Sequence, residues 1–315
     1  MTTAPAQPGA TVTPKPKAVV RIGDRVFSAA SVIAGGLILF VLVLVAAFLV
    51  WQSLPAFSAK VGELPNGAAN FWDYVGPLVF GTVWSALIAL VIAVPLSLGI
   101  ALFISHYAPR RVAPVLGYVI DLLAAVPSVV YGLWGIVVLA PFVKPFYAFL
   151  NEYLGWIPFF SGQVSGTGRT ILTASIVLAV MAIPIMTAVM REIFLQAPRL
   201  NEEAALALGA TRWEMIRLSV LPFAKSGIVS AIMLGLGRAL GETMAIALVL
   251  SVSTNVTFQM LTSLNPSTIA ANIALQFAEA SGTALNALIA SGLILFVITL
   301  VINMLARYIV RKRVS

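Results

Sequence analysis

Residues 191–225 read REIFLQAPRLNEEAALALGATRWEMIRLSVLPFAK, a polar stretch lodged between two apolar runs. Asn201 is placed to cap a helix whose first turn holds Glu202 and Glu203, where carboxylates suit the positive helix end. Ala204 to Leu208 are strong helix formers, and Gly209 is a natural stop. The stretch therefore predicts a short helix, a turn, and a second amphipathic helix ending near Pro222.

On both sides of this segment the chain turns apolar. Of its 315 residues 60% are hydrophobic and only 10% charged, with a mean hydropathy of +1.02. A soluble domain carries about 25% charged residues, and no soluble core absorbs such an excess. Runs long enough to cross a ~30 Å hydrocarbon layer recur along the sequence. Six spans are predicted: Ala30 to Trp51, Pro77 to Ile104, Val115 to Ala140, Ile171 to Met190, Gly227 to Val252, and Leu285 to Arg307. All should be helices, because a lone apolar run in lipid must satisfy its own backbone and no period-two alternation of a barrel is present. Pro95, Pro127 and Pro184 fall inside spans and predict kinks, not ends. The fold class is thus an all-α membrane protein, with a transmembrane domain over residues 23–315 that contains the polar loop 191–226.

Orientation follows from Lys and Arg. With a cytoplasmic N-terminus, 15 basic residues lie on the inner side: the cluster Lys15, Lys17, Arg21 and Arg25, then Arg110 and Arg111, the 191–226 loop, and the C-terminal end. Three (Lys60, Lys144 and Arg169) lie outside, and Arg238 sits within a span. The positive-inside rule then places both termini in the cytoplasm. Residues 1–22, with Pro5, Pro8, Pro14 and Pro16 among Thr and Ala, bury no apolar surface and read as a disordered cytoplasmic tail. The apolar run after it is too long for a signal-peptide core, so the first span is expected to remain as an anchor. On the other face, Phe142 to Thr170, with Trp156, Phe159 and Phe160, could form a short interfacial helix.

Several function classes are excluded. The absence of cysteine removes disulfides and thiolate metal sites, and a single histidine, His106, removes a multi-histidine centre. The net charge of +8 flanks hydrophobic spans instead of forming a patch with interleaved aromatics, so no nucleic-acid partner is implied. No G-x-x-x-x-G-K-[ST] phosphate loop is present, and no Ser/Lys or paired-aspartate arrangement suggests an intramembrane enzyme.

The run Glu203-Ala204-Ala205, three residues, Gly209, and then Leu221-Pro222 resembles the E-A-A loop of permease subunits of bacterial ABC importers. One position departs: Ser219 stands where that family usually has a branched apolar residue. The resemblance implies a six-span type I permease whose short helix is a coupling helix seated in a cleft of a cytoplasmic ATPase. On that reading this chain needs no cofactor, since ATP and Mg are bound by the partner ATPase.

Inside the fifth span, GLGRALGETMAIA places Arg238 and Glu242 four residues apart, on one face of a helix. Each charge costs about 2.5–3.5 kcal/mol there, so both should face protein or a water-filled path. Gly235, Gly237 and Gly241 let another helix or a ligand approach. Arginine suits tetrahedral oxyanions because its planar fork stays charged and donates paired hydrogen bonds. Glu242 could hold Arg238 between transport cycles, accept a proton from a protonated oxyanion, or contribute to gating. The structural alternative is an ion pair that locks the helix, with Asp121 of the third span as another partner.

Two stretches, LLAAVPSVVYGLWGI (Leu122 to Ile136) and GRALGETMA, closely resemble the PstC permeases of phosphate-specific transport systems. The resemblance implies a substrate pathway at Arg238, Glu242 and Thr243, with inorganic phosphate as substrate. It implies as partners a second permease PstA, two copies of the ATPase PstB, the phosphate-binding protein PstS and membrane lipid, in the bacterial cytoplasmic (inner) membrane. Two rival readings are a permease for another oxyanion, such as sulfate or molybdate, and an ion-coupled carrier that uses the charged pair without ATP.

Overall fold

In a computed structural model, residues 22–60, 62–250 and 253–314 are described. The expected tail, apart from Ile22, lies outside them. The chain separates into two units, residues 1–48 and 49–315. In the first, helix α1 (Ile22–Phe57) begins, and its apolar side chains up to Phe48 are largely exposed, as suits a surface whose solvent is lipid.

Helices are the sole regular structure of the second unit among the described residues. After α1 come α2 (Phe71–Leu102, prolonged by a π-helical turn to Tyr107), α3 (Ala113–Ala124) and α4 (Ser128–Leu154). Then follow α5 (Ile171–Leu195), α6 (Arg199–Ala207), α7 (Arg212–Gly241), α8 (Met244–Val249), α9 (Ile269–Gln276) and α10 (Gly282–Val314). Six helices are long and apolar enough to cross a membrane: α1, α2, α4, α5, α7 and α10. Their starts are chemically marked. Asn70 accepts from Asp73 N–H (2.9 Å) at α2, Thr170 from Thr173 N–H (3.2 Å) at α5, and Thr268 from Ala271 N–H (3.3 Å) at α9.

α5 is the axis of this unit, with 67% of its most apolar window buried. It packs along α2 and α7, presenting fully buried Val177, Met186 and Met190. Methionine's flexible thioether fills irregular gaps between such helices. A second cluster joins Phe71, Tyr74 and Leu78 of α2 to Ile269 of α9 and Leu288 of α10.

Two spans differ from the sequence expectation. The third does not run from Val115 to Ala140; α3 stops at Ala124 and the membrane-length helix is Ser128–Leu154. Pro127 has no N–H to donate and disfavours the helical region for Val126, so it ends the helix instead of kinking it. The Tyr131 hydroxyl bridges the break by donating to the Leu123 carbonyl (2.8 Å). Pro95 and Pro184, by contrast, lie inside α2 and α5 as expected. The fifth span ends at Gly241 instead of running to Val252, and at its other end it begins far earlier, at Arg212. Pro222 does not stop it, because the wide π-helical turn Ile216–Val220 precedes the proline and absorbs the missing hydrogen bond.

No separate interfacial helix forms over Phe142 to Thr170. Residues as far as Leu154 belong to α4, and the rest is an irregular segment clasped to residues 253–268. Met260 N–H donates to Phe159 O and Ser165 N–H to Leu261 O, both at 2.8 Å. The 253–268 segment in turn lies on α2, where Thr82 Oγ1 accepts from Ile269 N–H (2.9 Å) and glycine at position 81 leaves room for the Ser267 carbonyl.

Candidate functional site

The polar loop forms the predicted short helix, α6, and the predicted turn. Gly209 takes φ +87°, Gly209 N–H donates to Leu206 O (3.0 Å) and Ala210 N–H to Ala205 O (3.2 Å). This is a Schellman closure, and glycine is its natural residue. Asn201, however, does not cap α6: the helix starts at Arg199 behind Pro198, and Asn201 lies within its first turn. The effective cap is one helix later, where Thr211 Oγ1 accepts from Glu214 N–H (3.3 Å) and Glu214 accepts from Thr211 N–H (2.7 Å).

Glu203 and Ala204 are exposed, while Glu202 and Ala205 turn toward the body. Glu202 lies 3.7 Å from His106 Nε2 at the end of α2. Leu200 and Leu208 project outward at 76% and 90% exposure, so α6 offers an apolar-edged face that none of the described residues covers. Leu221 is half-buried and Pro222 exposed at the start of the straight part of α7.

The second set of residues lies where α7 stops. Arg238 occupies the last turn of α7, where a cation suits the negative helix end. Glu242 has extended backbone (φ −69°, ψ 128°), Thr243 follows at φ −109°, and α8 resumes at Met244. The expected common helical face of Arg238 and Glu242 therefore does not form, and among the described residues no ion pair joins them. Glu242, 8% exposed, instead accepts from Ala245 N–H (3.1 Å) and closes the first turn of α8.

Asp121 is likewise not a partner of Arg238. It lies 3.6 Å from Arg191, whose guanidinium rests against α3 at Gly117. Arg238 is half-buried, and its Nε is buried with no hydrogen-bond partner among the described residues. An unpaired buried donor is costly, commonly about 1–3 kcal/mol and more when charged. It is a group that waits for an acceptor.

Tertiary contacts hold α8 in this interrupted position. A Cβ at Gly132 would collide with Ala245, and one at Gly135 with Val177 and Val249, so the glycines of the Tyr-Gly-Leu-Trp-Gly stretch are where α4 admits α8. Arg169 caps the far end, donating from Nε to Val249 O (3.2 Å) and from Nη2 to Leu248 O (3.0 Å) and Leu250 O (3.3 Å). A carboxylate at its N-terminus and a guanidinium at its C-terminus match the dipole of α8. Sequence reasoning counted Arg169 only as a topology signal, and nothing in its local pattern announces a partner 80 residues away.

Of the three glycines flanking Arg238, Gly235 packs against Met186 of α5 as expected. Among the described residues a side chain at Gly237 or Gly241 would meet nothing, leaving that side of α7 open beside Arg238.

The family described as binding-protein-dependent transport system inner membrane component matches residues 93–315. The phosphate transport system permease protein PstC 2 of Mycobacterium tuberculosis is 44% identical over 308 residues, covering 94% of each chain. PstC of Mycobacterium leprae is 42% identical, covering 94% of this chain and 96% of its own. Among solved structures, a bacterial ABC transporter involved in the import of the acidic polysaccharide alginate superposes with TM-score 0.58 at 18% identity, over 91% of this chain and 96% of that one. That likeness shows the fold alone, a type I ABC importer permease, which traverses the inner membrane several times. The chain belongs to the binding-protein-dependent transport system inner membrane component family, on its PstC branch.

Proposed function

We propose that this chain is the permease subunit of an ATP-driven importer that passes inorganic phosphate across the cytoplasmic membrane, with both termini inside. Its partners are a PstA-type permease, two PstB-type ATPases that bind ATP and Mg, and a PstS-type binding protein that delivers phosphate from outside. The chain itself makes and breaks no covalent bond. Closure of the ATPase pair pushes on α6, and the continuous helix α7, capped at Thr211 and ending beside Arg238, carries that movement to the break at Glu242.

One observation carries the reading. A half-buried guanidinium, Arg238, stands with Nε unpaired at an interrupted helix, in a chain whose relatives named as phosphate permeases match 94% of its length. A dianionic tetrahedral ligand supplies the acceptors that the guanidinium lacks. The half-buried Thr243 beside the break adds a hydroxyl on the same path.

The test is uptake of labelled phosphate into proteoliposomes holding the four kinds of subunit, with and without ATP and with sulfate as competitor. ATP-dependent uptake that sulfate does not suppress is expected. Uptake without the ATPase subunits points to an autonomous carrier, and equal competition by sulfate points to a general oxyanion permease; either overturns the proposal.

A further inference from the structure

Two cavities adjoin at the end of the bundle that carries α6, and Arg238 lines neither. The first, of about 320 Å³, is walled by the end of α2, the first turns of α6 and α7, and the loop residue Arg110. Three guanidiniums border it (Arg110, Arg199 and Arg212) against one carboxylate, Glu202. That carboxylate faces His106, and among the described residues none of the three arginines has an ion-pair partner.

The three guanidiniums are exposed, and against one carboxylate they leave the cleft net positive. Arg199 opens α6 and Arg212 opens α7, so each cation sits at the positive end of a helix, where acidic residues are the stabilising choice. Converging like charges in a cleft focus a positive potential into it. An anion relieves both penalties, and the planar forks suit a phosphoryl group in particular. The second cavity, of about 370 Å³, shares Ser105, Arg110 and Leu195 with the first and adds Arg191, paired with Asp121, beside Tyr118 and Pro114. Its mixed wall adjoins the exposed apolar side of α3, where Val115 and Tyr118 are 58% and 71% exposed. Basic pockets between membrane helices are a common seat of anionic headgroups.

The geometry points to a second anion site, for a phosphoryl group bound between α6 and the ends of α2 and α7. Its source is either the headgroup of an anionic phospholipid, with the glycerol and chains along the second cavity, or free inorganic phosphate. Occupancy ties α6 to the body through Arg199, Arg212 and Arg110, and so stiffens the junction at which α6 meets α7. Binding here does not depend on the transport reading, and its test needs no transport.

Because the chain has no cysteine, a single thiol reports on the site. Ser105→Cys lines both cavities, and Leu206→Cys, on the wall of the first, serves as a second reporter. With the chain assembled with its partner subunits in nanodiscs, the rate of labelling by a small charged thiosulfonate is measured at constant ionic strength. In phosphatidylcholine nanodiscs, inorganic phosphate at ten times its Kd slows labelling roughly tenfold if the free ion is the ligand. Slowing on exchange to phosphatidylglycerol, without added phosphate, assigns the lipid headgroup. In either case Arg199→Gln with Arg212→Gln restores the unprotected rate. If neither probe slows labelling of either thiol, or if the double variant keeps the protection, the site does not exist.

Discussion

The chain interrupts helical structure at Gly209 and again just after Gly241, and the two interruptions are built in different ways. At Gly209 the chemistry is local: a left-handed glycine at φ +87°, a Schellman closure onto α6, and a Thr211–Glu214 capping box that restarts the chain as α7. At Glu242 no left-handed residue is used, since Glu242 and Thr243 have φ −69° and −109°. The break persists because α8 is lodged against Gly132 and Gly135 and tied at its far end by Arg169. The first break is specified by the residues at it, and the second by residues from α4 and from before α5. A turn that works by itself suits a lever presented to a partner. A break imposed by packing keeps a charged group inside the bundle and can respond when the packing shifts.

The largest expected effect falls on the buried break. Arg238→Gln removes the cation at the end of α7, and losing one partner of a buried charge contact costs about 2–5 kcal/mol, so uptake should fall at least about thirtyfold while the subunits still copurify. Full uptake by that variant would remove Arg238 from the path. At the other break, Gly209→Val forces a β-branched residue into the left-handed region, with a strain of about 1–3 kcal/mol. The turn then shifts α6, and ATP hydrolysis should continue or the ATPase dissociate while uptake drops roughly tenfold, a drop of the size that strain implies. Coupled transport at the normal rate would show that the turn is not the docking lever.

A smaller change tests whether the Glu242 break really is held from a distance. Arg169→Ala deletes three donor contacts to the carbonyls at the end of α8, worth about 1.5–3 kcal/mol together because the donor is charged. Amide exchange should quicken through residues 244–250 and not in α6, and Arg169→Lys should recover part of the protection. Equal protection in both variants would mean that the α4 glycines alone seat α8.

The contrast also explains how far the sequence could be read. The Gly209 turn, the short α6 helix and the six apolar lengths follow from local propensity and hydropathy, signals that live within a few residues or one turn of helix. Spacing of four residues put Arg238 and Glu242 on one face only on the premise that the helix continued, and the one local weak point between them, Gly241, takes no left-handed φ. What ends α7 is the better packing of α8 on two glycines more than 100 residues earlier. Pro127 is a related case: a proline inside an apolar run reads as a kink, and the end of α3 is fixed once the Tyr131 hydroxyl satisfies a carbonyl across the gap. The cap at Asn201 failed for another reason. Pro198 supplies a fixed φ three residues ahead of it, so α6 had already begun.

The mildest substitution separates the two roles left to Glu242. In Glu242→Gln the amide oxygen can still accept from Ala245 N–H, so the first turn of α8 keeps its closure and stability should change by no more than about 0.5 kcal/mol. What disappears is the negative charge near the end of α7 and the ability to exchange a proton with a protonated oxyanion. If the carboxylate only shapes α8, phosphate uptake and its pH profile stay as they were. If it acts on the ion in transit, uptake changes with the melting temperature unmoved. That second outcome is the expected one, because the turn of α8 alone needs no carboxylate: a glutamine oxygen would accept from Ala245 N–H as well.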